Sequence, residues 1–231
     1  MAKIITAAQA ASLIPSGARL MCGGFLGCGN PVGILRALCE TDTEDLTLIC
    51  DDAARPNGPD GDAEYGVAKL IHARKVRRMI GSHVGTNPEV SEQLRDGFLD
   101  LTLLPMGSFV EMIRAGGSGL GAVVTPTGVG TEVEHGPLTL QKMRIDDREH
   151  LVMRPLRADY AILSGAKVDR LGNVWYKGTT RNFSPWMAMA ADVVIVEAEA
   201  LLEPGEIPPE DVVTPGVLVD YIVFEEDPSR G

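Results

Sequence analysis

The sequence predicts an α/β fold built on a mostly parallel, open sheet with flanking helices. Apolar runs of strand length are near-continuous rather than alternating, which is typical of strands buried on both faces. These runs lie at residues 18–22, 46–50, 76–80, 99–104, 122–125, 160–163 and 193–196. Helical patterns separate them at residues 32–39, 64–74, 88–95, 109–115 and 185–191. This alternation implies right-handed crossovers between parallel strands.

The chain is long enough for one large domain. Its 231 residues are 45% apolar, which is ample for a packed core. We expect a single domain over residues 1–224, with a small hairpin-containing insertion at about 128–154, where turns, charges and short apolar segments mix. The acidic tail at residues 225–231 is expected to be frayed.

Charge and composition exclude several classes of partner and cofactor. A net charge of −11 argues against nucleic acid or an anionic membrane surface as the main binding partner, since both are bound through clustered Lys and Arg. The four cysteines and four histidines show no spacing typical of a metal site, so we expect no metal. Residues 117–122 fit a dinucleotide pattern formally, but they follow a helical stretch and precede a strand, the reverse of the required order. No signal-peptide core or membrane span is evident, which predicts a cytoplasmic location.

The most informative segment connects the first buried strand to the first long helix. Four glycines there allow the backbone to approach a ligand closely. Asn30 is predicted as the helix N-cap and Pro31 as the first helical residue, so free N–H groups would converge on a phosphate, a carboxylate or a thioester oxyanion. Taken alone, the segment is equally compatible with a tight turn whose glycines serve only sterics. The candidate contacts, here called the glycine loop, are Gly23, Gly24, Phe25, Leu26, Gly27, Cys28 and Gly29.

A second strand-to-helix loop follows at residues 81–88, where Asn87 is predicted as N-cap before Pro88. His83 and Asn87 are candidate hydrogen-bond donors to a bound carboxylate, although the cap engages Asn87. Because both loops follow parallel strands at their carboxyl ends, we expect them to face one crevice.

The sequence gives weaker support for a catalytic or binding role of the other reactive side chains. Cys28 lies near a helix N-terminus, where a thiolate would be favoured, but we interpret it as a packing residue. Asp51 and Asp52 follow a strand and could order a loop or a partner subunit, although solvated turn residues are the default interpretation. Glu197 and Glu199 also follow a strand, the placement that a carboxylate nucleophile would need.

The glycine loop belongs to a longer run of motifs that resembles a known family. Residues 16–31, with Gly-Gly-Phe at 23–25 and Pro31, are similar to the N-terminal pattern of the first (α) subunits of family I coenzyme A transferases, and depart from it at Ser16 and Cys22. Further segments resemble the same family in chain order, at residues 82–89, 114–119, 125–131, 169–173, 181–185 and 214–217. Where relatives carry Pro-Gln-Gly-Thr, this chain has Met106 in the Gln position.

The resemblance implies an architecture, an activity and a division of labour. It implies the CoA-transferase fold and transfer of CoA between a short-chain acyl-CoA and acetoacetate, acetate or butyrate, by a ping-pong mechanism. The nucleophilic glutamate of the family lies in the second, β half, and we identify no stretch here that reproduces that segment, so no catalytic nucleophile is expected in this chain. The glycine loop would contact CoA or the oxyanion, and the acyl pocket would use His83, Gly85, Asn87 and Met106.

The resemblance further implies a β-subunit partner in an α2β2 or larger assembly, with CoA or acyl-CoA as substrate and no permanently bound cofactor. Because the chain is acidic, the phosphates of CoA would need local donors or basic residues of the partner. One alternative is a single-chain phosphosugar isomerase or acyl-CoA hydrolase on a related fold, which would be active without a partner. Another is a non-catalytic subunit that binds CoA without turnover.

Overall fold

The computed structural model describes residues 2–58 and 61–225, which form sixteen strands and six α-helices. The helices are α1 (Ala7–Ser12), α2 (Val32–Cys39), α3 (Ala68–His72), α4 (Pro88–Arg95), α5 (Met106–Gly117) and α6 (Ser184–Ala190). The strands are β1 (Lys3–Ile5), β2 (Arg19–Cys22), β3 (Leu46–Ile49), β4 (Arg55–Pro56), β5 (Glu64–Tyr65), β6 (Val76–Gly81), β7 (Asp100–Leu103), β8 (Val123–Thr125), β9 (Thr139–Ile145), β10 (Arg148–Met153), β11 (Ala158–Gly165), β12 (Lys167–Asp169), β13 (Val174–Trp175), β14 (Ala191–Ala198), β15 (Leu201–Leu202) and β16 (Tyr221–Val223).

An eight-stranded sheet with the order β1-β16-β14-β11-β2-β3-β6-β7 forms the centre of the molecule. Every neighbouring pair in it is parallel. The predicted α/β class and mostly parallel sheet are therefore confirmed. The order reverses direction around β2, and this places the glycine loop near the middle of the sheet edge where parallel strands end.

Helices cover both faces of the sheet and create two cores. Leu20 of β2 packs into the core that includes α1, α2, α3 and α4. The next residue, Met21, packs into the core that includes α5 and α6. Both side chains are fully buried, which explains why this strand reads as a continuous apolar run.

Two predicted elements differ from the structure. The apolar run at 122–125 is a strand, but it pairs antiparallel with β10 in a separate three-stranded sheet. The expected hairpin in the 128–154 region is formed by β9 and β10 of that sheet. The helix expected over 64–74 is only α3, because Glu64 and Tyr65 pair with β4 and Gly66 has φ +56, which helical residues do not adopt.

The first and last strands of the described chain pair at one side of the sheet, which the sequence did not predict. β1 pairs in parallel with β16, and the Ala7 N–H donates to the Glu225 carboxylate at 3.0 Å. The rest of the predicted frayed tail lies outside the described residues, so fraying stays a prediction.

Candidate functional site

Four loops lie side by side at one edge of the sheet because they follow four adjacent parallel strands. The glycine loop follows β2, Asp51 and Asp52 follow β3, His83 follows β6, and Met106 follows β7. The two strand-to-helix loops therefore follow strands on either side of β3, with the two aspartates between them, and a crevice between these loops stays a prediction.

The glycine loop folds back on itself through a tight turn. Phe25 and Cys28 exchange backbone hydrogen bonds of 3.0 and 2.9 Å, and the two residues between them have left-handed backbone, with φ +50 at Leu26 and +84 at Gly27. Glycine adopts this conformation without strain, whereas leucine does so only when its surroundings enforce it.

Sterics account for part of the glycine content. A Cβ on Gly27 would collide with the ring of Tyr65, and a Cβ on Gly29 would lie 2.8 Å from the carbonyl oxygen of Thr180. Both residues also have positive φ. The loop is therefore packed closely between the β4–β5 hairpin and the segment before α6.

Three backbone donors of the loop remain for a ligand. Within the described part of the chain, the N–H groups of Gly24, Gly27 and Gly29 have no acceptor. Gly24 and Gly27 are buried, and a buried N–H without an acceptor is uncommon in a folded protein. These donors are suited to an oxyanion or a carbonyl oxygen.

The predicted capping of α2 is wrong, and so is the expectation that its N-terminus is free for a ligand. Pro31 occupies the N-cap position. Asn30 is drawn away by tertiary partners: its Nδ2 donates to Gly23 O at 2.5 Å and its Oδ1 accepts from Val67 N at 3.0 Å. The Glu197 carboxylate instead accepts from Gly33 N at 3.0 Å and Ile34 N at 2.8 Å. Burial raises the pKa of Glu197, while these two N–H donors lower it.

Asp51 and Asp52 are not the solvated turn residues that the sequence suggests, since they are 1% and 2% exposed. The Leu26 N–H donates to both carboxylate oxygens of Asp52, at 3.0 and 3.1 Å, and thereby ties the glycine loop to the end of β3. Asp51 accepts from Ser82 Oγ at 2.5 Å and from Asn182 Nδ2 at 3.2 Å. The pair thus links three loops of the site.

Burial raises the pKa of Asp52 to about 6, and the neighbouring Asp51 charge adds to this effect. Hydrogen bonds from the Leu26 and Ala54 N–H groups and the charge of His83 act in the opposite direction. Sequence reasoning missed Asp51, Asp52 and Asn182 as site residues. The available signal was the pair of carboxylates directly after a buried strand.

The second loop divides into an exposed part and a structural part. His83 and Gly85 are exposed, and His83 pairs as an isolated parallel bridge with Asp52. Asn87 is only 2% exposed: its Oδ1 accepts from Glu89 N, which confirms the predicted N-cap, and its Nδ2 donates to Ala53 O at 3.0 Å. The structure thus gives Asn87 a scaffold role, and its direct contact with a carboxylate stays a prediction.

Two other predicted residues are open to solvent. Met106 begins α5 and is 46% exposed. Cys28 is also exposed, so its interpretation as a packing residue is wrong; the tight turn projects it from the loop. Ligand contact by either residue stays a prediction.

Of the two glutamates at the end of β14, one is bonded within the chain and the other is exposed. Glu197 binds the start of α2, and Glu199 is exposed just beyond β14. Glu-x-Gly tripeptides do occur in the chain, starting at Glu64, Glu134 and Glu203. None of the three follows a strand of the eight-stranded sheet.

A possible cation-binding group lies outside these loops. Ligand atoms of Glu64, His72 and Glu89 lie within 4.8 Å of one another. An ion pair of 2.9 Å between His72 Nδ1 and Glu89 Oε1 accounts for most of this proximity.

The helices of the described residues include none that is long and apolar enough to cross a membrane.

Comparison with known proteins extends the resemblance over the whole chain. Residues 4–225 match the Coenzyme A transferase family. The acetate CoA-transferase subunit alpha of Escherichia coli K12 is 42% identical over 97% of this chain and 98% of its own length. The acetoacetyl-CoA:acetate/butyrate CoA transferase alpha subunit of Clostridium acetobutylicum is 44% identical over 96% of this chain and 98% of its own.

Solved structures show the same fold at lower identity. An acyl-CoA transferase of E. coli O157:H7, crystallised as a thioester complex with CoA, matches 97% of this chain with a TM-score of 0.84 and 19% identity; this chain spans 50% of that longer protein. Glutaconate coenzyme A-transferase of Acidaminococcus fermentans matches 96% of this chain, and 75% of its own, with a TM-score of 0.81 and 19% identity. With this fold and the end-to-end match to α subunits, the chain belongs to the coenzyme A transferase family.

Proposed function

We propose that this chain is the α subunit of a heteromeric CoA transferase that moves CoA between a short-chain acyl-CoA and a carboxylate of the acetoacetate, acetate or butyrate class. The observation that carries the proposal is a site edge that offers backbone donors while its buried carboxylates are already engaged by hydrogen bonds within the chain. The loop presents unpartnered N–H groups at Gly24, Gly27 and Gly29, whereas Asp52 and Glu197 are engaged by hydrogen bonds within the chain. The relatives named as α subunits support the need for a second chain.

The reaction divides between the two subunits. A glutamate of the β subunit attacks the thioester carbonyl, the CoA thiolate leaves, and a mixed anhydride forms. The thiolate then attacks the glutamyl carbonyl, releasing the first carboxylate and leaving a glutamyl thioester. A second carboxylate reverses these steps. The thioester free energy is conserved only if water is excluded from both intermediates.

The α subunit contributes backbone donors and the wall of the acyl pocket. N–H groups of the glycine loop stabilise the oxyanion that develops on the thioester carbonyl, or contact CoA directly. His83, Gly85, Asn87 and Met106 form the side that binds the acid, at the ends of β6 and β7. With a thioether where relatives carry an amide, Met106 makes that pocket less polar.

The test is co-expression with a β subunit, for example one encoded beside this chain's gene. We expect transfer from acetoacetyl-CoA to acetate by the reconstituted pair and at least a hundredfold less by either chain alone. Steady-state kinetics should give parallel double-reciprocal lines, the ping-pong pattern. Full activity of the purified chain alone would refute the divided site and favour the single-chain alternative.

The proposal includes an α2β2 or larger assembly and a cytoplasmic location. The four free cysteines, two of them buried, are typical of a reducing compartment. No permanently bound cofactor is required, because CoA enters as acyl-CoA and leaves on the second acid.

A further inference from the structure

We propose that Asp52 is a positioning residue for CoA transfer, because its carboxylate holds the Leu26 N–H and thereby fixes the glycine loop in its ligand-ready shape. The proposal rests on the proposed function of the loop. It assigns a role to a side chain that does not touch the reacting atoms.

Leu26 has a backbone conformation that a non-glycine residue rarely adopts. With φ +50, this leucine lies in a region that costs a non-glycine residue about 1 kcal/mol or more. Both oxygens of Asp52 accept its N–H, at 3.0 and 3.1 Å. A charge-assisted hydrogen bond of this kind is strong enough to hold the residue in that conformation.

The bond from Leu26 to Asp52 separates the donors used within the chain from those left for a ligand. The Leu26 N–H donates to Asp52, and Phe25 and Cys28 form backbone hydrogen bonds with each other across the turn. The N–H groups of Gly24, Gly27 and Gly29 are left for a ligand. If the Asp52 contact were lost, Leu26 would relax toward negative φ and the flanking glycines would change direction with it.

Asp52 is itself held rigidly by further contacts. Asp52 also accepts from Ala54 N at 3.2 Å, and Ala54 has φ +52. Its neighbour Asp51 is fixed by Ser82 and by Asn182, which has φ +35. Three non-glycine residues with left-handed backbone therefore surround one buried aspartate pair, and such strain persists only where the surroundings enforce it.

The charge of Asp52 depends on pH in the range where the enzyme can be assayed. The titratable groups that face it are Asp51 on its own loop, His83 on the second loop, Cys22 at the end of β2 and Cys50 at the end of β3. Burial raises the pKa of Asp52 to about 6. Below that pH the carboxyl is neutral and holds the Leu26 N–H less strongly, so activity should fall on the acid side.

The experiment compares Asp52→Asn with Asp159→Asn in the enzyme reconstituted with its β subunit. The control is matched because Asp159 accepts the N–H of Arg19 at 2.7 Å, at the opposite end of the same strand, β2. We expect Asp52→Asn to lower kcat/KM for acyl-CoA at least tenfold and to remove the acid limb near pH 6. Asp159→Asn should stay within about twofold of the parent and keep that limb.

Amide hydrogen exchange gives a readout that does not depend on catalysis. Exchange at the hydrogen-bonded amides of the loop, Phe25, Leu26 and Cys28, should rise at least tenfold in Asp52→Asn and stay unchanged in Asp159→Asn, with β3 and β11 protected in both. If the reconstituted pair shows no transfer at all, the proposed function fails, and the exchange result still decides whether Asp52 positions the loop.

A double variant protects the test against a folding defect. Glycine at position 26 adopts positive φ without the aspartate, so adding Leu26→Gly to Asp52→Asn should recover at least threefold of the lost kcat/KM. Wild-type kinetics and exchange in Asp52→Asn, or a double variant no better than Asp52→Asn, would overturn the proposal.

Discussion

We expect Asp52 to make the fold less stable as pH rises, by an amount that follows from its raised pKa. Asp52→Asn removes the titration while keeping the shape of the side chain. The folded-state pKa of about 6 lies above the ordinary value of 3.8. The folded chain therefore binds this proton more tightly than the unfolded chain does, so its stabilising effect is present below pH 4 and is lost as pH rises through 6.

At 1.36 kcal/mol for each tenfold change, a rise of the pKa from 3.8 to about 6 corresponds to about 3 kcal/mol in full, and to about 2 kcal/mol between pH 4 and pH 7, because the carboxyl of the unfolded chain is already partly ionised at pH 4. The unfolding free energy of Asp52→Asn relative to the parent should therefore increase by about 2 kcal/mol between pH 4 and pH 7. Asp52→Asn also loses the hydrogen bond from Leu26 or Ala54. This loss lowers the unfolding free energy of the variant by the same amount at both pH values, so it does not change the sign of the pH effect.

Urea denaturation of the purified chain at pH 4, 5, 6 and 7 measures this difference, provided that the slope with denaturant is the same for both proteins. A difference that is constant across these pH values, or that shrinks as pH rises, would refute the assignment of a raised pKa to Asp52.

The remaining predictions concern the loop, the start of α2 and the acyl pocket. Gly27→Ala should lower the unfolding free energy by about 2 to 4 kcal/mol and abolish CoA binding by calorimetry, since its Cβ meets the Tyr65 ring; Gly97→Ala, with similar φ but open space, should cost only about 1 kcal/mol. Glu197→Gln should keep at least half of the turnover, because its amide oxygen still accepts from the start of α2. Glu197→Ala should lower the thermal midpoint through loss of about 1 kcal/mol at the α2 N-terminus. Complete loss of turnover in a folded Glu197→Gln protein would instead make this carboxylate catalytic. Met106→Gln should shift relative kcat/KM toward more polar acids, and unchanged selectivity across an acid series would remove this residue from the pocket.

The sheet could be predicted because its strands carry their burial in their own sequence. Leu20 and Met21 are both buried, on opposite faces, and a run of such residues indicates a doubly covered parallel strand without further information. The three-residue strands β1 and β16 escaped prediction because each is too short to show a pattern. Their pairing joins residues more than two hundred positions apart.

The site could be predicted only where local rules decide the outcome. Asn87 caps α4 as its position before Pro88 indicates. Asn30 has the same local signature, but its amide bonds Gly23 and Val67 instead. Asn182, which donates a hydrogen bond to Asp51, is 131 positions away in the sequence. A contact of this kind follows from the folded topology and cannot be read from local sequence spacing.

The direction of β16 bears on how the protein should be handled. This strand runs parallel to β2 and stands three places from it in the sheet, so it ends at the edge that carries the glycine loop, about 14 Å away at the usual strand spacing. β1 starts at the opposite edge. The chain therefore leaves β16 on the side of the glycine loop and enters β1 on the opposite side, so a bulky label placed close after β16 would crowd that loop and one placed before β1 would not.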